Sequence, residues 1–278
     1  MNFTTYLQQK KHRASTVRTY SRGIERFLSW LQSEGIEVEV FTYNDLLAFM
    51  QHCNRNGVSK RTLHTTLCVI RHYCSYLMHE KRRSDNPAAG LFIKGLVRKL
   101  PAGLLSTEEM EDLYKQYSIQ LNVDMSKKIM LGLLVYQGVR VEELMQLAVS
   151  DIKLKEGKLK VKGTSRTNER VLHLHAGQMI LLQQYLDKNK WKTGKLFSET
   201  KELNNSTAYM FSQLKKLNAK VINAKQLRSS VITEWLRKNN LRQVQYMAGH
   251  KYVSSTQRYQ LNNLDDLRSE LQHHHPMH

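Results

Sequence analysis

Cysteine is scarce in this chain. Cys53, Cys68 and Cys74 are an odd number without a C-x-x-C pair, which argues against a disulfide framework and fits a reducing compartment. No apolar run approaches the ~18 residues that a membrane span needs, and no signal-peptide pattern is present. The expectation is a cytoplasmic, nucleoid-associated protein without membrane contact. The sequence also lacks H-E-x-x-H, paired Cys/His spacing, an acidic cluster and a Walker-type glycine-rich loop. No metal and no cofactor are therefore expected. The histidines at the end, His273 to His275 and His278, are read as a terminal tail without function.

Acidic charge is also short. Asp and Glu total 24 against 43 Lys and Arg, a net charge of +19. So large an excess makes a polyanion, and nucleic acid first of all, the expected partner. The basic residues are spread over both halves of the chain rather than gathered in one tail.

Proline is limited to three residues, and two of them, Pro87 and Pro101, bracket NPAAGLFIKGLVRKLP. Helix breakers and basic residues together predict an interdomain linker there, with the boundary near residue 100. The chain before it reads as all-helical. Ser15 is placed to cap a helix with apolar Val17, Tyr20, Ile24, Phe27, Leu28 and Leu31. A second helix runs from about Thr42 to Asn54 with Leu46, Leu47, Phe49 and Met50, and Ser59 opens a third with Leu63, Leu67, Ile70, Tyr73, Cys74 and Leu77. Arg13, Arg18, Arg22, Lys60, Arg61 and Arg71 flank these faces, either as solvated surface or as a groove lining for duplex DNA. Beyond the boundary, Ser106 and Glu109 form a capping box. KLKVKG (158–163) and RVLHLH (170–175) alternate as strands around the turn TSRTNE, and helical patterns resume at 176–187, 205–218 and 225–248. Leu264, Leu267 and Leu271 make one stripe of a short final helix.

Four residues stand out chemically: Arg140 in YQGVRVEEL, Arg228 in KQLRSS, and His250 and Tyr259 in AGHKYVSSTQRYQ. Transferring a phosphodiester to a phenol needs donors for the charge on the non-bridging oxygens, an in-line nucleophile and a proton for the leaving oxygen. Two arginines, a histidine and a tyrosine are suitable parts. Glu143, three residues after Arg140, is placed to orient its guanidinium. Each has a plainer reading: a helix-end cap for Arg140, a surface glutamate for Glu143, a helix C-cap for His250 and core packing for Tyr259. Tyr252 is a rival phenol in the same segment.

In this order the residues resemble the tyrosine recombinases of the phage-integrase and Xer kind, with the signature Arg…Lys…His-x-x-Arg…His/Trp…Tyr, over nearly the whole chain. The resemblance implies a mainly α protein: a helical core-binding domain (1–95), a linker (96–103), a helical catalytic domain with a small antiparallel hairpin (104–262), and a tail helix and end (263–278). It implies strand exchange through a 3′-phosphotyrosine on double-stranded DNA with paired recombination sites, in a homo-tetramer. It makes Tyr259 the nucleophile, preferred over Tyr252 by its spacing from His250, and Arg140, Arg228 and His250 its catalytic partners.

Two departures bear on the leaving-group proton. The His-x-x-Arg box reads Lys225-Gln226-Leu227-Arg228, so Lys225 replaces the histidine. No lysine occupies the hairpin turn. Alignment on the phage form of the hairpin puts Arg166 at that position, with Lys162 as runner-up. Arginine is a poor proton donor. Lys225 is then the candidate acid and Arg166 its electrostatic support. A type IB topoisomerase-like relaxer shares this chemistry, and a catalytically decayed DNA-binding relative is the non-enzymatic alternative.

Overall fold

The computed structural model describes residues 1–95, 103–120, 125–188, 193–197 and 200–260. The chain separates into two compact units, Met1–Arg98 and Lys99–His278. The expected tail helix lies outside the described residues, as does nearly all of the expected linker.

The first unit is a bundle of α1 (Phe3–Gln9), α2 (Ala14–Ser33), α3 (Tyr43–Arg55) and α4 (Lys60–His79). Its core gathers the apolar faces read from the sequence. Phe27 meets Phe41 and Phe49 edge to face, each at 5.0 Å, beside Leu46, Leu67, Ile70 and Leu77. Aromatic pairs of this kind add about 0.5–1.5 kcal/mol each beyond area burial. α2 and α4 cross closely at Gly23, where an added Cβ would stand 3.2 Å from Val69. Thr42 and Asp45 form a reciprocal capping box on α3, and Ser59 caps α4 through the Thr62 N–H.

One helix of this unit is not among those read from the sequence, and two expectations are corrected. α1, only seven residues long, is too short to show periodicity, yet it buries Phe3, Tyr6 and Leu7. α2 begins at Ala14 after Arg13, with no side-chain cap, so Ser15 lies inside the first turn. The left-handed Lys11 (φ 57°) ends α1 and turns the chain early enough for α2 to start there. Arg71 is not free to line a groove: its Nε and Nη2 donate to the Ala88 and Leu91 carbonyls, and its guanidinium covers the Phe92 ring.

The second unit is mainly helical with one small sheet. α6 (Met125–Tyr136) is its axis, buried from Ile129 through Val135, which accounts for an apolar run without a polar face. α5 (Thr107–Gln120), α8 (Ala176–Lys188), α9 (Thr200–Leu217) and α10 (Ala224–Lys238) pack around the same core. Ser106 and Glu109 cap α5 reciprocally. The hairpin forms between β2 (Lys158–Val161) and β3 (Arg170–His173), with Val161 opposite Arg170. A two-residue strand, β1 (Ile152–Lys153), joins β2 to make a three-stranded antiparallel sheet in the order β1-β2-β3. The stretch 225–248 is two helices rather than one. Asn239 leaves helical geometry, and Asn240 caps α11 (Leu241–Ala248) in a box with Gln243. Residues 254–260 are helical again.

Candidate active site

The site begins where α6 ends. Gly138 adopts φ +54°, and Arg140 follows in extended backbone as the N-cap of α7 (Val141–Leu144). That single turn swings Glu143 back, and its Oε2 accepts the Arg140 backbone N–H at 2.9 Å. The carboxylate is fully buried and accepts three more hydrogen bonds. Arg170 Nη1 and Nη2 each donate at 2.8 Å, and Thr167 Oγ1 donates at 2.8 Å. Burial alone would raise the Glu143 pKa. The Arg170 fork and the Arg140 N–H outweigh it and hold the acid down at about 2. Glu143 thus fixes the backbone of Arg140, while the guanidinium it hydrogen-bonds is that of Arg170, with Arg228 Nη1 farther off at 4.0 Å.

Arg228 comes from the second turn of α10. Its Nη1 donates to the Gly138 carbonyl and its Nη2 to the Ala248 carbonyl, tying the ends of α6 and α11 to one guanidinium. Burial first, then repulsion from Arg140 and Arg170, push its pKa down to about 9, so it stays a cation at neutral pH. The buried Nε atoms of Arg140, Arg170 and Arg258 have no acceptor among the described residues. Of these, Arg170 is wholly buried on Glu143, while Arg140 is half-buried, so its donors suit an incoming anion.

His250 follows Gly249, the left-handed C-cap of α11 (φ +64°). A Cβ at Gly249 would stand 2.7 Å from Arg170 Nη1 and 2.9 Å from the Asn168 carbonyl oxygen, so glycine meets both a conformational and a steric need there. His250 Nδ1 lies 2.9 Å from Thr256 Oγ1, and its ring stacks on that of Tyr259 at 6.0 Å and 15°. Tyr259 is 6 % exposed and packs with Ile232, Val244 and Ala248. The Arg258 guanidinium lies 5.4 Å from its ring centroid. Tyr252, in contrast, is 73 % exposed.

Burial, then Arg228, Arg140, Arg258 and Arg170, drive the His250 pKa down to about 3, so the imidazole is neutral at neutral pH. A histidine with a depressed folded pKa stabilises the fold above its unfolded value of 6.5 and loses that contribution as pH falls, because only the unfolded chain takes up the proton. Glu143 behaves likewise, but only below its ordinary 4.5. Between pH 6.5 and 4.5 the His250 contribution falls by about 2 kcal/mol. Urea unfolding of the second unit across this window, compared with that of His250→Asn, is expected to show the flatter slope in the variant.

The remaining predicted residues sit at the edges. Lys225 is exposed in the first turn of α10, one turn before Arg228. Arg166 is exposed in the hairpin turn, where its backbone N–H donates to Thr164 Oγ1 at 3.1 Å. Lys162 pairs with Asp151 at 3.3 Å. Sequence reasoning missed Arg170 and Thr167. A signal for Arg170 existed: in RVLHLH it occupies the inward phase of an alternating strand, a position that demands a buried carboxylate partner. Among the described residues, no three His, Cys, Asp or Glu are grouped to hold a metal ion, and no helix is long and apolar enough to cross a membrane.

Residues 104–265 match the phage integrase family, and residues 1–81 match the phage integrase N-terminal SAM-like domain. The chain is similar to the tyrosine recombinase XerC of Bacillus pumilus, 26 % identical over 99 % of this chain and 95 % of that protein. It is also similar to XerD of Proteus mirabilis, 28 % identical over 95 % and 88 %. Among solved structures it resembles XerH bound to difH substrate (TM-score 0.69, 19 % identity, 92 % of this chain and 81 % of that one). A lambda integrase dimer bound to a COC′ core site is similar too (TM-score 0.64, 18 % identity, 92 % of each chain). These two likenesses speak to the fold.

Proposed function

This chain belongs to the phage integrase family; its reaction is site-specific cleavage and rejoining of DNA strands, and we propose that the pocket around Tyr259 carries it out. The observation that carries this reading is one buried phenol with His250 stacked on it, next to Arg228, whose Nη2 donates to the Ala248 carbonyl two residues before that histidine; the charges of Arg228 and Arg140 act on His250. The Tyr259 Oη–P bond forms as the phenol passes its proton to solvent water and the P–O5′ bond breaks. The product is a 3′-phosphotyrosine and a free 5′-hydroxyl. Arg140 and Arg228 neutralise the charge that grows on the non-bridging oxygens. Neutral His250 supplies a hydrogen bond rather than a proton. The partner strand's hydroxyl then attacks the linkage. Exchange takes place in a homo-tetramer on paired sites, in the nucleoid.

Lys225 supplies the proton to O5′. Its exposure at the rim, one turn from Arg228, supports this role. A DNA substrate with sulfur at the scissile 5′-oxygen tests it, because a thiolate departs unprotonated. Lys225→Ala is expected to lose ~10²-fold or more on the oxygen substrate and to regain most of it on the sulfur one. Arg140→Ala and Arg228→Ala stay impaired on both. Equal impairment of Lys225→Ala on both substrates would make it a phosphate clamp, and rescue of Lys162→Ala would move the acid to the hairpin.

Residues 1–95 act as the core-binding domain and 104–262 as the catalytic domain, both meeting the DNA backbone. Affinity is therefore expected to fall by ~10³-fold or more between 50 and 200 mM salt if ~6–10 phosphates are neutralised. A filter-binding titration that stays flat over this range would contradict it.

A further inference from the structure

Neither the signature residues nor the chemistry above accounts for Thr167, a fully buried hydroxyl in an otherwise exposed turn. Its Oγ1 donates to Glu143 Oε1 at 2.8 Å and accepts the Thr164 N–H at 3.3 Å. Thr164 Oγ1 lies 2.9 Å from it and in turn accepts the Arg166 N–H at 3.1 Å. The backbone of Thr167 forms an isolated antiparallel bridge with His250, and the next residue, Asn168, donates its N–H to the Gly249 carbonyl at 2.9 Å. The Thr167 side chain therefore holds the carboxylate that fixes the Arg140 backbone and the turn that carries Arg166, and the backbone at 167–168 holds the segment after α11 that carries His250.

We propose that Thr167 is the positioning residue that locks the hairpin turn onto Glu143 and so places Arg166 at the leaving oxygen. The claim rests on the phosphotyrosine reading of the pocket. When the Tyr259 Oη–P bond forms, the electron pair of the broken P–O5′ bond stays on O5′. A cation held beside O5′ stabilises that charge until the Lys225 proton arrives, and no other reactant is needed. An unlocked turn leaves Arg166 free to wander from that point, while the phosphate clamp of Arg140 and Arg228 stays in place. Displacements of about 1 Å at a reacting group are enough to cost ~10²-fold.

The test measures the rate of covalent complex formation on nicked DNA with oxygen or sulfur at the scissile 5′ position. DNA affinity and thermal unfolding are followed in parallel. Thr167→Val removes the hydroxyl at nearly constant shape. It is expected to slow the oxygen substrate by one to two orders of magnitude with unchanged affinity, and to regain most of the rate on the sulfur substrate. Thr167→Ser, which keeps the hydroxyl, is expected to restore most of the loss. Thr164→Ala loosens the same turn without touching Glu143 and carries the test by itself if Thr167→Val does not fold. Equal loss on both substrates, or no loss on either, with an active parent chain, overturns the role of Thr167 alone. A parent chain that forms no adduct on either substrate brings down the pocket reading and this inference with it.

Discussion

Tyr259→Phe is expected to bind DNA as the parent chain does and to form no covalent adduct, a loss of at least ~10³-fold in cleavage. The substitution takes away one oxygen. The ring keeps its packing on Ile232, Val244 and Ala248 and its stack on His250, so the fold has little reason to change. A gel that resolves covalent from non-covalent complexes on a nicked substrate reads both quantities at once. Tyr252→Phe is expected to be silent in the same assay, in keeping with its exposed side chain. Adducts lost in Tyr252→Phe and kept in Tyr259→Phe would reverse the assignment.

The second large effect is on stability. Arg170→Ala takes both bonded guanidinium donors from the Glu143 carboxylate, which is wholly buried and would keep the Arg140 N–H, the Thr167 hydroxyl and the more distant Arg228 Nη1 at 4.0 Å. Removing one partner of a buried ion pair costs about 3–5 kcal/mol, because the remaining charge stays desolvated. For a unit of this size that lowers the unfolding midpoint by roughly 6–20 °C. Arg170→Met combined with Glu143→Leu is expected to recover part of the stability but none of the cleavage, since the Arg140 backbone then loses its anchor. Thermal unfolding decides it. A loss under about 1 kcal/mol in Arg170→Ala would mean that the pair is dispensable to the fold.

Arg140, Arg228, His250 and Tyr259 stood out in the sequence as candidates because each sits in a distinctive local context: a glycine two residues before Arg140, a glycine before His250 and a fixed step to Tyr259. The helices of the first unit were legible wherever an apolar stripe lasted several turns. α1 was not, because seven residues give too little periodicity, and its burial is decided by its neighbours. The break between α10 and α11 hid in Asn239-Asn240, two residues that helices tolerate but that also cap. Thr167 was invisible for a different reason. Its partners, Glu143 and His250, lie far from it in sequence, and a threonine in a polar turn ordinarily faces water. The partner of Glu143 was misjudged on the same ground. Spacing of three residues pointed to the Arg140 guanidinium, whereas the carboxylate bonds the Arg140 backbone and reaches across to the strand for Arg170.

The central claim is that Tyr259 carries the broken strand. Its most direct test is to trap the parent chain on a nicked DNA from which the 5′-hydroxyl fragment diffuses away, digest the complex, and locate the nucleotide-bearing peptide by mass spectrometry. The account predicts a single modified residue, Tyr259, joined to a 3′-phosphate. A modified peptide that contains Tyr252 and not Tyr259, a 5′-phosphate linkage, or no adduct at all would contradict it.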